Sequence, residues 1–340
     1  MLNWLLEDDA PGVQYLARAR LLGESPRSRR MLTLRRRCNE YPPVARMLAR
    51  VDDAIAAGDY AKYRGAYWTL IFLAQVHADG RDPRARRLVE HVLATQLDNG
   101  GFSASGTPGN EIGCLTANVL WASVQLGYGD DDRVIRGYRR LAERILPHGG
   151  VPCRVLQTCL HTACKMTLPQ TLRCLAAAPE GTLKKDMKKL RQVLVRQLLD
   201  VSVYRFVRPD VAEYHHAVKV RPKGVPERAV RERWIAERTF DDDELLPKPG
   251  WLRFGFPRSY NPDLLEGMLA LAELGVEHDP AMDDALGIIE SKRMPDGRWK
   301  LEESLNGKML ADIEKKGKPS KWVTLRAAIV LQRYRGLEPG

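Results

Sequence analysis

Apolar residues recur at helical spacing along almost the whole chain. The stretches PGVQYLARARLLGE, SPRSRRMLTLRRRC, PPVARMLARVDDAIAAG, AKYRGAYWTLIFLAQVHADG and DPRARRLVEHVLATQ each carry that pattern. So do IGCLTANVLWASVQLGYG, DDDRVIRGYRRLAERIL, CLHTACKMTLPQTLRCLAAAP, LKKDMKKLRQVLVRQLLD, NPDLLEGMLALAELGV, DPAMDDALGIIESKRM and SKWVTLRAAIVLQRY. Strand-like alternation is confined to VSVYRFV at 201–207. Start and stop signals fit the pattern: Pro11 at a first turn with Gly23 beyond the end, Asp82 as N-cap before Pro83, and Asp130 to Asp132 at a positive helix end.

The helices are of two kinds. CLTANVLWASVQLG, DLLEGMLALAELG and VTLRAAIVLQRY are apolar on most of their surface, whereas DPRARRLVEHVLATQ, DDDRVIRGYRRLAERIL and DPAMDDALGIIESK keep a charged face. A helix apolar all round is enclosed by others, and one with a charged face borders solvent. Their alternation predicts an inner ring of helices wrapped by an outer ring. The turns repeat as well. ATQLDNGGFSAS, ERILPHGGVPCR and ESKRMPDGRWKLE each run from an outer helix through a polar Gly turn to an apolar residue (Phe102, Val151, Trp299). Gly permits the tight reversal, and the apolar side chain can plug between layers.

QLDNGGF and KRMPDGRW resemble the Gln-x-x-x-Gly-x-Trp/Phe turn of the prenyltransferase and squalene-cyclase repeat. GCLTANVLWASVQLGYGDDDRV, KPGWLRFGFPRSY and NGKMLADIEKKGKPSKWVTLRA are more similar still to a smaller group of bacterial and archaeal proteins with prenyltransferase/squalene oxidase repeats. The likeness covers roughly 88–335, and WLLEDDAPGVQYLARARLLG resembles that group's opening. It implies an all-α chain folded as one α/α toroid over 1–340. Residues 1–60 form its N-terminal helical lead-in, and 205–256 form a long, irregular, basic and Pro-rich excursion with one helix near 228–238. By resemblance alone, the function implied is that of a terpenoid cyclase-like or prenyltransferase-like protein binding an apolar, isoprenoid-type small molecule in a central cavity. Any catalysis would be cyclisation or prenyl transfer. The alternative is a non-catalytic helical scaffold that meets a protein or anionic partner through a basic outer face.

Inner helices of a toroid direct their N-terminal ends to one mouth of the cavity, where unpaired N–H groups favour polar or anionic ligands. The residues at those starts are Tyr63, Tyr67, Trp68, Cys114, Asn118, His161, Cys164, Tyr260, Asp263, Lys321, Trp322 and Arg326. Aromatic walls with a few polar groups make a small-molecule site, and the competing reading is that the aromatics fill the middle. Cys114, Cys153, Cys159, His161 and Cys164 supply the thiolates and imidazole that zinc prefers. Protein prenyltransferases hold a catalytic zinc through Asp, Cys and His, which here would be Cys114 or Cys164, His161 and Asp263. CLHTAC is not a standard zinc spacing, although a helix would set His161 and Cys164 on one face. Buried thiols are the alternative.

FDDDELL at 240–246 resembles the acidic motif of protonating cyclases, but it ends in Glu244 and lies in a loop, so it reads as a solvated acidic segment. No phosphate loop, triad order or dinucleotide fingerprint appears. Net charge is +11, concentrated at 183–197 and 219–234. Lys184, Lys185, Lys188 and Lys189 lie on one helix without interleaved aromatics, which predicts a solvated face and no specific nucleic-acid site. The longest apolar runs are too short to cross a bilayer, and MLNWLLEDDAPG lacks a basic n-region. A cytoplasmic protein without a disulfide framework is the expectation.

At the last helix, Pro319 disfavours helix at Lys318, so the helix is expected to begin just after it with Ser320 as N-cap. The loop before it, NGKMLADIEKKGKPSK, is expected to cross the mouth and deliver Lys321, Trp322 and Arg326 to the cavity.

Overall fold

The computed structural model describes residues 1–152, 163–238 and 244–338. Among these the chain is mostly helical, with one two-stranded sheet. The helices of the first half are α1 (Leu2–Leu5), α2 (Pro11–Arg20), α3 (Arg29–Arg37), α4 (Pro42–Ala49), α5 (Val51–Ala56), α6 (Ala66–Gln75), α7 (Pro83–Ala94), α8 (Gly113–Gln125) and α9 (Asp132–Ile145). Those of the second half are α10 (Leu168–Ala176), α11 (Met187–Leu199), α12 (Val211–Lys219), α13 (Glu227–Ala236), α14 (Leu264–Glu273), α15 (Asp283–Ser291) and α16 (Lys321–Arg335). Strands β1 (Arg205–Val207) and β2 (Leu246–Pro247) pair antiparallel at the two ends of the excursion.

The two kinds of helix separate as their patterns require. Every residue of α6 is buried, and α8, α14 and α16 are buried around most of their surface. α7, α9 and α11 bury one stripe only, such as Leu190, Leu194 and Leu198 of α11, and leave Lys188 and Lys189 exposed. The enclosed helices are neighbours in the order α6, α8, α10, α14, α16, α2. Against them lie α7 on α6, α9 on α8, α11 on α10 and α15 on α14. No described helix is long and apolar enough to cross a membrane.

The repeated turns take the form that their residues dictate. Gly100, Gly149 and Gly297 have φ of 89°, 62° and 79°, a region that side-chain-bearing residues rarely occupy. Phe102, Val151 and Trp299 follow, each buried. The first turn is braced by Glu111, whose carboxylate reaches Arg140 at 2.7 Å, Arg144 at 3.0 Å and Asn99 at 3.1 Å. Gly101 is required there, because a Cβ would fall 2.6 Å from that carboxylate.

Burial pushes the Glu111 carboxyl up, but Arg140 and Arg144 outweigh it and hold its pKa below the ordinary glutamate value of 4.5. A depressed carboxylate contributes stability that is complete above its unfolded pKa and is lost as pH falls through the folded one. Glu111→Gln should therefore melt below the parent protein at neutral pH. The gap between the two melting temperatures should close on acidification below 4.5. A gap that stays constant across that range would show that the carboxylate charge is not what braces the turn.

Two helices differ from the sequence pattern. PPVARMLARVDDAIAAG is divided at Arg50, which leaves helical geometry between α4 and α5 (φ −112°). Of the helix expected over 159–179, the described residues show 163–164 as non-helical, a 3-10 turn at Lys165–Thr167, and an α-helix from Leu168 with Pro169 in its first turn. The excursion also holds more helix than expected, because α12 precedes α13 and the two pack together.

Candidate functional site

At the N-terminal ends of α6 and α14 the aromatic residues gather. Trp68 lies edge-on to Tyr260 (ring centroids 4.8 Å apart, 82°) and to Tyr63 (5.3 Å, 73°), with Tyr60 5.8 Å away. Trp68 is wholly enclosed and donates from its indole N–H to the Tyr60 carbonyl at 3.3 Å. Tyr60, Tyr63 and Tyr260 are half-buried, and burial pushes the Tyr260 hydroxyl pKa up. The Lys62 ammonium stands 5.6 Å from the Tyr260 ring and 5.9 Å from that of Tyr63. Tyr67 faces the other way: its hydroxyl meets Thr95 at 2.8 Å and its ring meets Phe102, so it joins α6 to α7.

Deeper in, charged side chains converge from three helices and one loop. Arg173 of α10 pairs with Glu266 of α14 at 2.7 Å, lies 3.8 Å over the Trp121 ring, and donates to Asn118 Oδ1 at 3.2 Å. Asn118 in turn donates to the Cys114 carbonyl one turn earlier. Asp263 caps α14, accepting from the Glu266 N–H at 2.8 Å, and its other oxygen accepts from the Gly255 N–H at 2.8 Å. Arg258 stands 3.6 Å from it. Burial raises the Asp263 pKa, against the pull of Arg258. Arg326 of α16 lies 4.8 Å over the Phe256 ring and reaches Gln75 Oε1 at 3.4 Å. Burial lowers its pKa, though a guanidinium remains charged. All five charged groups are buried. Three guanidiniums thus face two carboxylates, and Arg326 makes no ion pair among the described residues.

The segment 254–260 runs through this centre, and of it the sequence reading places only Tyr260 there. Gln75 of α6 grips Arg258 at both backbone atoms, accepting at 2.9 Å and donating at 2.7 Å. Gln170 of α10 donates to the Ser259 carbonyl at 3.1 Å. Phe254 and Phe256 are buried. The one sequence signal was the run of Trp251, Phe254 and Phe256 at the end of an otherwise charged excursion.

The last helix begins where the sequence placed it. Ser320 caps α16 by accepting from the Val323 N–H at 3.0 Å. The loop before it supplies Glu314, which accepts from the Lys321 N–H at 2.7 Å and from the Ser320 hydroxyl. Trp322 stacks face to face on Phe256 (4.5 Å, 6°) and is enclosed by protein. Lys321 does not join the arginine cluster. Its ammonium is held by Glu7 at 2.8 Å and by Asp9, because the acidic N-terminal segment lies against the start of α16.

The thiol group is only partly described. Cys153, Cys159 and His161 lie outside the described residues, as do 240–243 of the acidic FDDDELL stretch. Cys164 has extended backbone, and its N–H donates to the Val151 carbonyl at 2.9 Å. Among the described residues no three His, Cys, Asp or Glu side chains gather to hold a metal. Of the five candidate metal ligands, only Cys114 and Cys164 fall among the described residues. The surface hollows lie elsewhere. One is bounded by Met1, Glu290, Arg293 and Asp296, the other by Arg20, Glu273, Ile329 and Arg333.

No protein-family model matches the chain, and no curated protein matches it. A solved structure described as a protein from Actinoplanes is similar over 86% of this chain and 98% of its own, at 17% identity and a TM-score of 0.31. A likeness of that size carries no argument about fold or function.

Proposed function

We propose that the helices close into an α/α toroid whose centre binds a small molecule with an apolar body and an anionic group, as a terpenoid cyclase-like or prenyltransferase-like protein would. The observation that carries this reading is the arginine surplus: among the described residues, Arg173, Arg258 and Arg326 are buried with only Asp263 and Glu266 as acidic partners. A buried charge without its counterion is costly, and an anion beside Arg326 would balance it. The half-buried rings of Tyr60, Tyr63 and Tyr260 supply the apolar counterpart. Closure of the ring is supported by the contact of α16 with α2 and by the hold of Glu7 and Asp9 on Lys321. An isoprenoid is the apolar body that the repeat turns imply by resemblance.

Native mass spectrometry of the purified chain should show a co-purified anionic amphiphile. Geranyl diphosphate, a long-chain fatty acid and inorganic pyrophosphate, added in turn, should rank by how far each raises the melting temperature. An amphiphile should raise it most, since a ligand that binds only the folded state stabilises by mass action. Arg326→Met should fold and lose that rise. No shift with any of the three probes, and no co-purified molecule, would defeat the reading.

One observation favours a scaffold instead. Trp68, Trp322 and the segment 254–260 fill much of the middle. In a scaffold the arginines serve only to pin that segment, and Arg326→Met should then alter stability without any ligand-dependent difference.

A further inference from the structure

The longest exposed run among the described residues joins α12 to α13, where every residue from Lys219 to Ala229 is exposed. Its tip reads KVRPKGVP, with three cations and no acid between Lys219 and Pro226. Val220 is 64% exposed and Val225 36%, which puts both among the few exposed large hydrophobic residues of the chain. The tip is built. Arg221 donates to the carbonyls of Val218 and Val225 and so ties the end of α12 to the far side of the tip. Gly224, with φ of 91°, makes the reversal. Below it the hairpin is fixed by buried Tyr214, edge-on to Trp234, and by the Trp234 indole donating to Asp210 at 2.9 Å. The ion pairs of this region also lie below the tip: Arg208 with Asp210, Arg228 with Glu232, and Arg233 with Glu237. Lys219 and Lys223 have no such partner among the described residues.

We propose that this hairpin tip docks on an anionic lipid bilayer. Val220 and Val225 would enter the boundary between headgroups and acyl chains, while Lys219, Arg221 and Lys223 meet the anionic headgroups. Cations alone would serve a nucleic acid as well. What favours lipid is the pair of exposed valines set among the cations, together with the absence of an aromatic ring at the tip, 219–226, among the described residues. Tyr214 and Trp234 are engaged with each other, and Arg238 lies 3.3 Å over Trp234. The reading is independent of what the centre of the molecule binds.

The test is flotation of the full chain with vesicles. The protein should float with phosphatidylcholine vesicles that contain phosphatidylserine, float far less with phosphatidylcholine alone, and be released by high salt. Each cation lost near the surface should weaken partitioning by roughly fivefold, so Lys219→Glu with Lys223→Glu should lower it by well over tenfold. Val220→Glu with Val225→Glu should abolish flotation. Both double variants should melt as the parent does, since the four positions are exposed. The proposal falls if the parent does not float with the anionic vesicles, or if both variants float as it does. It also falls if the tip residues instead govern binding of duplex DNA or RNA while the vesicles take up no protein.

Discussion

Trp322→Ala should cost about 3–5 kcal/mol of folding stability, the range for truncating a large buried aromatic. Its ring is 2% exposed and joins three parts of the molecule. One face stacks on Phe256 of the central segment, its own backbone opens α16, and α2 presses on it at Gly12. At Gly12 the approach is so close that a Cβ would sit 3.1 Å from the ring and 2.5 Å from the Val76 carbonyl oxygen. Stacked Phe256 and the close backbone at Gly12 are poorly placed to refill the space, so most of the cavity term should remain. Denaturant unfolding measures the cost, and Trp322→Phe should recover part of it. A loss of about 0.5 kcal/mol or less, the size of an exposed substitution, would mean that the ring is no part of the core. Among the described residues the indole N–H has no hydrogen-bond partner, so packing should dominate the loss.

The helices were legible in the sequence because their signals are local. Asp82 and Ser320 cap through their own side chains, and Gly100, Gly149 and Gly297 mark reversals that need a positive φ. The separation into enclosed and half-exposed helices followed from how many sides of each helix are apolar. The centre was legible only in part. Asn118, Asp263 and Arg326 do come together there, but Asn118 as a partner of Arg173, Asp263 of Arg258, and Arg326 against Gln75 and Phe256, and no spacing in the sequence pointed to those partners. Periodicity says nothing about an extended segment, so the sequence reading puts 254–256 at the end of the irregular excursion and places only Tyr260 of this stretch at the centre. Its place is set by Gln75, 183 residues away, and by Gln170, 89 residues away. Lys321 likewise sits at a helix start, as the candidates for a cavity mouth do, and only tertiary contact turns it to Glu7 and Asp9, more than 300 residues back.

Removing one partner of the Arg173–Glu266 pair should be as damaging as removing the tryptophan. The pair is 2.7 Å long, and its side chains are 5% and 1% exposed. Among the described residues neither Glu266 oxygen has a hydrogen-bond partner beyond that contact, so Arg173 is its nearest compensation. In Glu266→Gln three buried guanidiniums would face Asp263 alone. Stranding a buried charge costs about 3–5 kcal/mol, much more than an exposed pair is worth. Arg173→Met should cost a similar amount, since it strands the carboxylate and also vacates the face of Trp121 and the Asn118 oxygen. The double variant Arg173→Met with Glu266→Gln removes both charges, leaves Arg258 and Arg326 against Asp263, and restores the same surplus of one. It should therefore be more stable than the sum of the single losses allows, by about 0.5–3 kcal/mol of coupling. Urea unfolding of the four proteins gives that coupling directly. Additive losses would show that the two groups lie close without depending on each other. An anion that binds beside Arg326 should, on the reading proposed for the centre, stabilise Glu266→Gln more than the parent protein, because that variant holds the larger excess of positive charge.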